Sequence, residues 1–192
     1  CHDIISPVGA IANGLELMDE TNDQETREVA FGLIRSSAAN ASAKLQFARI
    51  AFGAAGSAGA DIDTGDAENV AKGWFANEKK LSLEWHGTRA LMPKNKVKLM
   101  LNLVLVACGA IPRGGIVKAG LDDPAGPARI TVSATGASAR GSPGFLALLN
   151  GNFSESLDAH AVQPLYTLKL AEQVGYEVSA SINGDSVVFR AG

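Results

Sequence analysis

The opening eighteen residues place large apolar side chains at Ile4, Val8, Ile11, Leu15 and Met18, in alternating steps of four and three. That spacing predicts a helix whose narrow apolar seam packs against other helices. At about 100° per residue His2 lies opposite the seam, and Ser6, Gly9 and Asn13 follow it on the same outward face. These residues are small or polar, so a partner can come close to that face. The polar run from Asp19 to Asp23 ends the helix and supplies capping groups for the next, with a turn at Thr21–Asp23. From Gln24 a second seam runs through Phe31, Ile34, Ala38, Ala41, Leu45, Ala48 and Phe52, which predicts a helix about 45 Å long at about 1.5 Å per residue. Two helices joined by a tight turn are antiparallel neighbours, and such a hairpin leaves both seams half uncovered. Pairing two hairpins into a four-helix bundle covers them and predicts a homodimer; packing of the second domain on the hairpin within one chain is the alternative.

Small residues from Gly53 to Ala60 separate this pattern from a different one, and the domain boundary falls there. A helical hairpin over residues 1–56 is followed by a second domain over residues 64–192. In the second domain Ala67 to Phe75 reads as a short helix, Leu81 to Trp85 as a strand and Lys94 to Ala110 as a strongly apolar helix after Pro93. Ile116 to Lys118 and Arg129 to Ala134 read as strands, and Pro143 to Leu149 as a short helix. Leu165 to Val174 is a helix stopped by Gly175. Tyr176 to Ile182 pairs with Ser186 to Phe189 across Asn183-Gly184, a hairpin turn. The fold class is therefore α+β: a helical hairpin, then an α/β sandwich with a mixed sheet.

Composition narrows the functional classes. A net charge of −3, from 17 basic and 20 acidic residues, gives no broad positive field of the kind that nucleic acid or an anionic membrane would select. Cys1 and Cys108 are the two cysteines, which make neither a disulfide framework nor a zinc site. No apolar run reaches the length of a membrane span and no signal peptide opens the chain, so a cytoplasmic location is expected. The chain opens on Cys1 without Met, from which we expect that the first turns of the opening helix lie upstream. His86 and His160 have no acidic or cysteine partner at ligand spacing, and no metal site is expected. Gly114-Gly115 and Gly141-Ser142-Pro143-Gly144 lack the pattern of phosphate loops and read as turns.

His2-Asp3-Ile4-Ile5-Ser6-Pro7-Val8 resembles the H-box of sensor histidine kinases, in which the phosphoacceptor His is followed by an acid and then by Ser or Thr and Pro. Ile5 departs from the Arg often found there. A dimerisation hairpin followed by an α/β sandwich also resembles the kinase core, with its nucleotide chemistry replaced in three places. In Met100 to Ala107, Val106 aligns where a magnesium-holding Asn is usual. In Ile130 to Gly136, Ala134 aligns where an Asp reads the adenine amine. Gln163-Pro164-Leu165-Tyr166-Thr167-Leu168 sits where a glycine-rich phosphate loop enters the last helix. The chain is thus similar to the alphaproteobacterial histidine phosphotransferases. That resemblance implies a phosphorelay in which phosphoryl arrives from the receiver domain of a hybrid sensor kinase. It leaves to response-regulator receiver domains of the CtrA and CpdR type, which govern the cell cycle. It implies no cofactor and no ATP on this chain, with Mg2+ on the partner receiver. An ATP-dependent sensor kinase core and a non-catalytic dimeric scaffold are the competing readings.

Imidazole suits a relay because its unperturbed pKa near 6.5 leaves one ring nitrogen nucleophilic at neutral pH (~7). His2 is the candidate phosphoacceptor. Asp3 either holds or charges the imidazole, or is a helix-start charge. Ser6, one turn on, either hydrogen-bonds the incoming phosphoryl or its water, or bonds its own backbone. Pro7 bends the helix and aims the ring. The docking surface is expected on Ser6, Gly9, Ala10 and Asn13, with Lys44, Gln46 and Arg49 of the second helix alongside.

Overall fold

The computed structural model describes residues 2–53, 60–124, 126–141, 143–151 and 159–192; the side chains of His2 and Asp3, and Cys1, Ser142 and most of the small-residue linker, lie outside it. Helix α1 (His2–Glu20) and helix α2 (Gln24–Ala51) form the hairpin, joined across Thr21 to Asp23. Asp23 caps α2, its Oδ2 accepting from the Thr26 hydroxyl at 2.6 Å and the Thr26 amide at 2.8 Å. Those bonds hold its carboxyl below the usual carboxylate range, the hydroxyl contributing most.

The sandwich follows as β1 (Asp61–Asp63), α3 (Thr64–Phe75), β2 (Leu81–Gly87), β3 (Leu91–Pro93), α4 (Lys94–Ala110), β4 (Gly115–Asp122), β5 (Arg129–Thr135), α5 (Pro143–Leu149), α6 (Val162–Gln173), β6 (Val178–Asn183) and β7 (Ser186–Ala191). The main sheet has the order β2-β4-β5-β7-β6; β2 and β4 are parallel and the other neighbours antiparallel. Alternation along β4, β5 and β7 puts Val117, Ala119, Leu121, Ile130, Val132, Ala134, Val187 and Phe189 on the face that packs against α4, whose own side chains are almost all buried. A second, two-stranded sheet pairs β1 with β3.

The sequence expectation differs from the structure at element edges. β1 and β3 are three-residue strands, too short to show alternation. Helix α3 starts three residues early, at Thr64, because Asp63 Oδ1 accepts from the Gly65 amide and so caps it. Helix α6 starts at Val162 and takes in Gln163 and Pro164, since proline is tolerated in a first turn, where amides lack intrahelical acceptors. The last hairpin turns at Gly184-Asp185, with Asn183 paired to Ser186. Gly184 has a left-handed φ of 56°, which a glycine adopts without strain.

Hairpin and sandwich share one core. Phe47 and Ala51 of α2 belong to the same buried cluster as α4 and the sheet, and the Phe47 and Trp74 rings lie 6.0 Å apart. Fully buried Asn102 of α4 donates from Nδ2 to Ala51 O at 3.0 Å and to Lys98 O at 2.9 Å. Gln163 Nε2 in turn donates to Asn102 O at 3.1 Å and Oδ1 at 3.2 Å. The Ala51 carbonyl belongs to the last turn of α2, where intrahelical donors run out.

Replacing Asn102 by Leu keeps the branched shape and the number of side-chain heavy atoms but leaves that carbonyl buried without its donor. Urea unfolding is expected to show a loss of about 2 kcal/mol. Burial, aided by the nearby Glu78 charge, pushes the Cys108 thiol up to about 12. With Cys1→Ser in the background, alkylation of native Cys108 by iodoacetamide at about pH 8 should run more than about a hundredfold slower than in the urea-unfolded chain.

Candidate functional site

The inner face of the hairpin is made of small residues. Pro7 and Gly14 of α1 are buried against Ala30, Ser37 and Ala41 of α2. A Cβ on Gly14 would lie 2.7 Å from Ile34 Cγ1 and 3.4 Å from Ala30 O, so the helices meet closely there. Farther toward the turn, Arg27 Nη1 donates to Met18 O at 2.6 Å. These contacts set the level of one antiparallel helix on the other: Met18 with Arg27, Gly14 with Ala30 to Ile34, and hence Ser6 with Asn40 and His2 with Lys44.

Because small residues occupy the contact, the large apolar residues of the predicted seams are displaced to its flanks. Val8, Leu15, Phe31 and Leu45 are each between 50% and 55% exposed. The angular positions of all four put them on one flank. The hairpin packing therefore corrects the expected seam: Ile4, Ile11 and Met18 stay half-buried at its edge, while Val8 and Leu15 point away from α2. The sandwich does not cover them.

The opposite flank carries the residues that follow His2. Ser6, Gly9 and Asn13 are exposed and Ala10 is half-buried. Beside them stand exposed Leu17, Val29 and Leu33, with Asn40 and Lys44 farther along. At the His2 end this flank is bounded by α3. A Cβ on Gly73 would lie 3.8 Å from Ala43 Cβ, and Lys44 Nζ is 3.5 Å from Glu78 Oε1. Ser6, Gly9, Ala10 and Asn13 are thus brought together. Arg49 is not among them: it stands on another face of α2, lining a shallow cavity with Ile50, Ile62, Asp66 and Lys94. Gln46 is exposed and donates to Ser42 Oγ. The cation level with His2 is Lys44. Leu17, Val29 and Leu33 were not expected on this surface; their signal in the sequence is that they are large apolar residues off the three-four seam.

In the sandwich, Val106 and Ala134 are buried in the core. Between α4 and α6 runs the polar chain of Asn102, Gln163 and Thr167, in which Thr167 Oγ1 donates to Gln163 O at 2.8 Å and accepts from Gln163 Nε2 at 3.1 Å. Among the described residues no group of three His, Cys, Asp or Glu side chains is placed to hold a metal ion.

A helical hairpin with an α/β sandwich on its end is the architecture of a histidine kinase core. The chain superposes on the histidine kinase domain of a blue-light activated histidine kinase from Erythrobacter litoralis with a TM-score of 0.52, at 15% identity, over 96% of this chain and 94% of the other. That likeness is one of fold. Residues 64–186 match the histidine phosphotransferase C-terminal domain family. The whole chain is 54% identical to Protein phosphotransferase ChpT of Brucella abortus (strain 2308), covering 90% of it. It also superposes on the solved structure of a bacterial phosphotransferase with a TM-score of 0.89, at 52% identity, over all of this chain and 91% of that one. The chain belongs to the histidine phosphotransferase family and is a protein phosphotransferase.

Proposed function

We propose that this phosphotransferase works as a phosphorelay intermediate with His2 as its phosphoacceptor. The observation that carries this reading is the open flank in register with His2: Ser6, Gly9 and Asn13 are exposed along α1, and nothing among the described residues of the sandwich crosses them. A receiver domain carrying an aspartyl phosphate docks on this flank. An imidazole nitrogen attacks the phosphorus in line with the leaving carboxylate oxygen; the N–P bond forms, the O–P bond breaks, and the carboxylate is released. Transfer to a second receiver reverses these events. Mg2+ on the receiver supplies charge neutralisation, so the chain itself contributes position and exposure. In this reading Ser6, one turn on from His2, hydrogen-bonds the phosphoryl or its water, and Asp3 biases the imidazole by its charge. Docking rests on Gly9, Ala10 and Asn13, with Leu17, Val29 and Leu33 giving the contact an apolar centre. Arg49, on its separate face, is not part of that contact.

The donor in this reading is the receiver domain of a hybrid sensor kinase, and the acceptors are receivers of the CtrA and CpdR type in cell-cycle control, with the exchange taking place in the cytoplasm. The resemblance of the run His2 to Val8 to a phosphoacceptor motif suggests these partners, and the identity to a protein phosphotransferase supports the transfer reaction itself. A second copy of the chain covers the other flank. Four large side chains, half exposed and aligned along the hairpin, support a homodimeric four-helix bundle. No ATP takes part. Hydrocarbon at Val106 and Ala134, and a helix rather than a glycine-rich loop at Gln163 to Leu168, support this part of the reading.

Incubation with a receiver domain phosphorylated by acetyl phosphate should label the parent chain and leave His2→Gln unlabelled, with no labelling from ATP in either. Label retained by the variant removes His2 from the role, labelling by ATP points to a kinase, and receiver binding without any label points to a scaffold. In light scattering the parent should show the mass of two chains. Leu15→Glu combined with Leu45→Glu should halve it, because four carboxylates would then face an apolar interface.

A further inference from the structure

Asn40 stands out on the flank that carries His2. It lies on α2 level with Ser6, about one turn from the level of His2 and one turn before Lys44, and three residues before Ala43, which the end of α3 approaches. Its side-chain oxygen Oδ1 is buried and has no hydrogen-bond partner among the described residues. A buried acceptor without a donor is destabilising, and a leucine of nearly the same size would add apolar burial instead. The amide therefore does not serve the stability of the isolated chain. Because Oδ1 gives up no hydrogen bond when it moves, rotation about the side-chain torsions can turn it toward the groove at little cost. Leu17, Val29 and Leu33 line the same flank, and a docked partner would dry it. A hydrogen bond made there is worth more than one made in water.

We infer that Asn40 is a partner-recognition residue: its side-chain oxygen, on the flank beside Ser6, accepts a hydrogen bond from a backbone N–H of the docked receiver domain. This rests on the phosphotransfer reading of the same flank. Asn40 touches neither phosphorus nor imidazole in this role, so it sets how tightly the receiver docks and not how fast the group moves.

The test uses the full chain with Asn40→Leu and Asn40→Ala, and as probe the receiver domain of a CtrA-type response regulator phosphorylated by acetyl phosphate. Both variants should raise the KM for the receiver about tenfold with kcat unchanged, while Asn40→Leu melts at or above the parent temperature. Calorimetry with the unphosphorylated receiver should show binding weaker by the same factor, which reads the contact even if no label reaches His2. Absence of label on the parent would defeat the phosphotransfer reading alone. Unchanged KM and unchanged binding in both variants would overturn the inference. So would a lowered melting temperature in both, since that would make Asn40 a structural residue.

Discussion

The hydrogen bond from Asn102 Nδ2 to the Ala51 carbonyl joins the two halves of this protein. Helix α2 ends inside the sandwich, where its last carbonyls have no water to turn to, and an amide from the middle of α4 meets one of them. Phe47 and Ala51 enter the same core around that bond. Gln163 then ties Asn102 to α6, so the end of the hairpin, the central helix and the last helix form one polar string inside an apolar body. A string of this kind is stable only when each member is satisfied, which is why the joint has a definite geometry. Its consequence reaches the site: with α2 held at its end, α3 is laid along Ala43 and Lys44, beside the level of His2.

Within the hairpin the governing constraint is side-chain size at the helix contact. Pro7, Gly14, Ala30, Ser37 and Ala41 are small or compact, and the helices approach closely over them. Larger side chains cannot share that space, so they divide between two flanks. One flank carries Val8, Leu15, Phe31 and Leu45, and the other is small and polar with three apolar residues near the turn. An apolar stripe suits a permanent contact, while the mixed flank suits a partner that arrives and leaves.

The interior of the sandwich is filled by packing. Val106 and Ala134 are core residues, and the α4–α6 space holds side-chain amides bonded to each other. A domain of this form is a rigid platform on the end of the hairpin. Its first helix lies beside Ala43 and Lys44 and so bounds one end of the flank that carries His2.

Much of this was legible in the chain itself. The two hairpin helices, the turn between them, α4 and the β6–β7 pair follow from apolar periodicity, capping residues and a glycine turn, all of them local in sequence. Helical spacing alone places Ser6, Gly9 and Asn13 on the face that follows His2. Other features depended on residues far apart in sequence. β1 and β3 are too short to carry a pattern and exist because they pair with each other. The assignment of Val8 and Leu15 to an outer flank depends on Gly14 meeting Ala30 and Ile34, and periodicity cannot show which side of a seam faces its neighbour. Arg49 and Lys44, five residues apart on α2, stand on different faces by helical spacing, while the level of Lys44 with His2 depends on the register of α1 against α2. The unpaired side-chain oxygen of Asn40 is likewise invisible in sequence, since whether a polar atom is satisfied depends on every group around it in three dimensions.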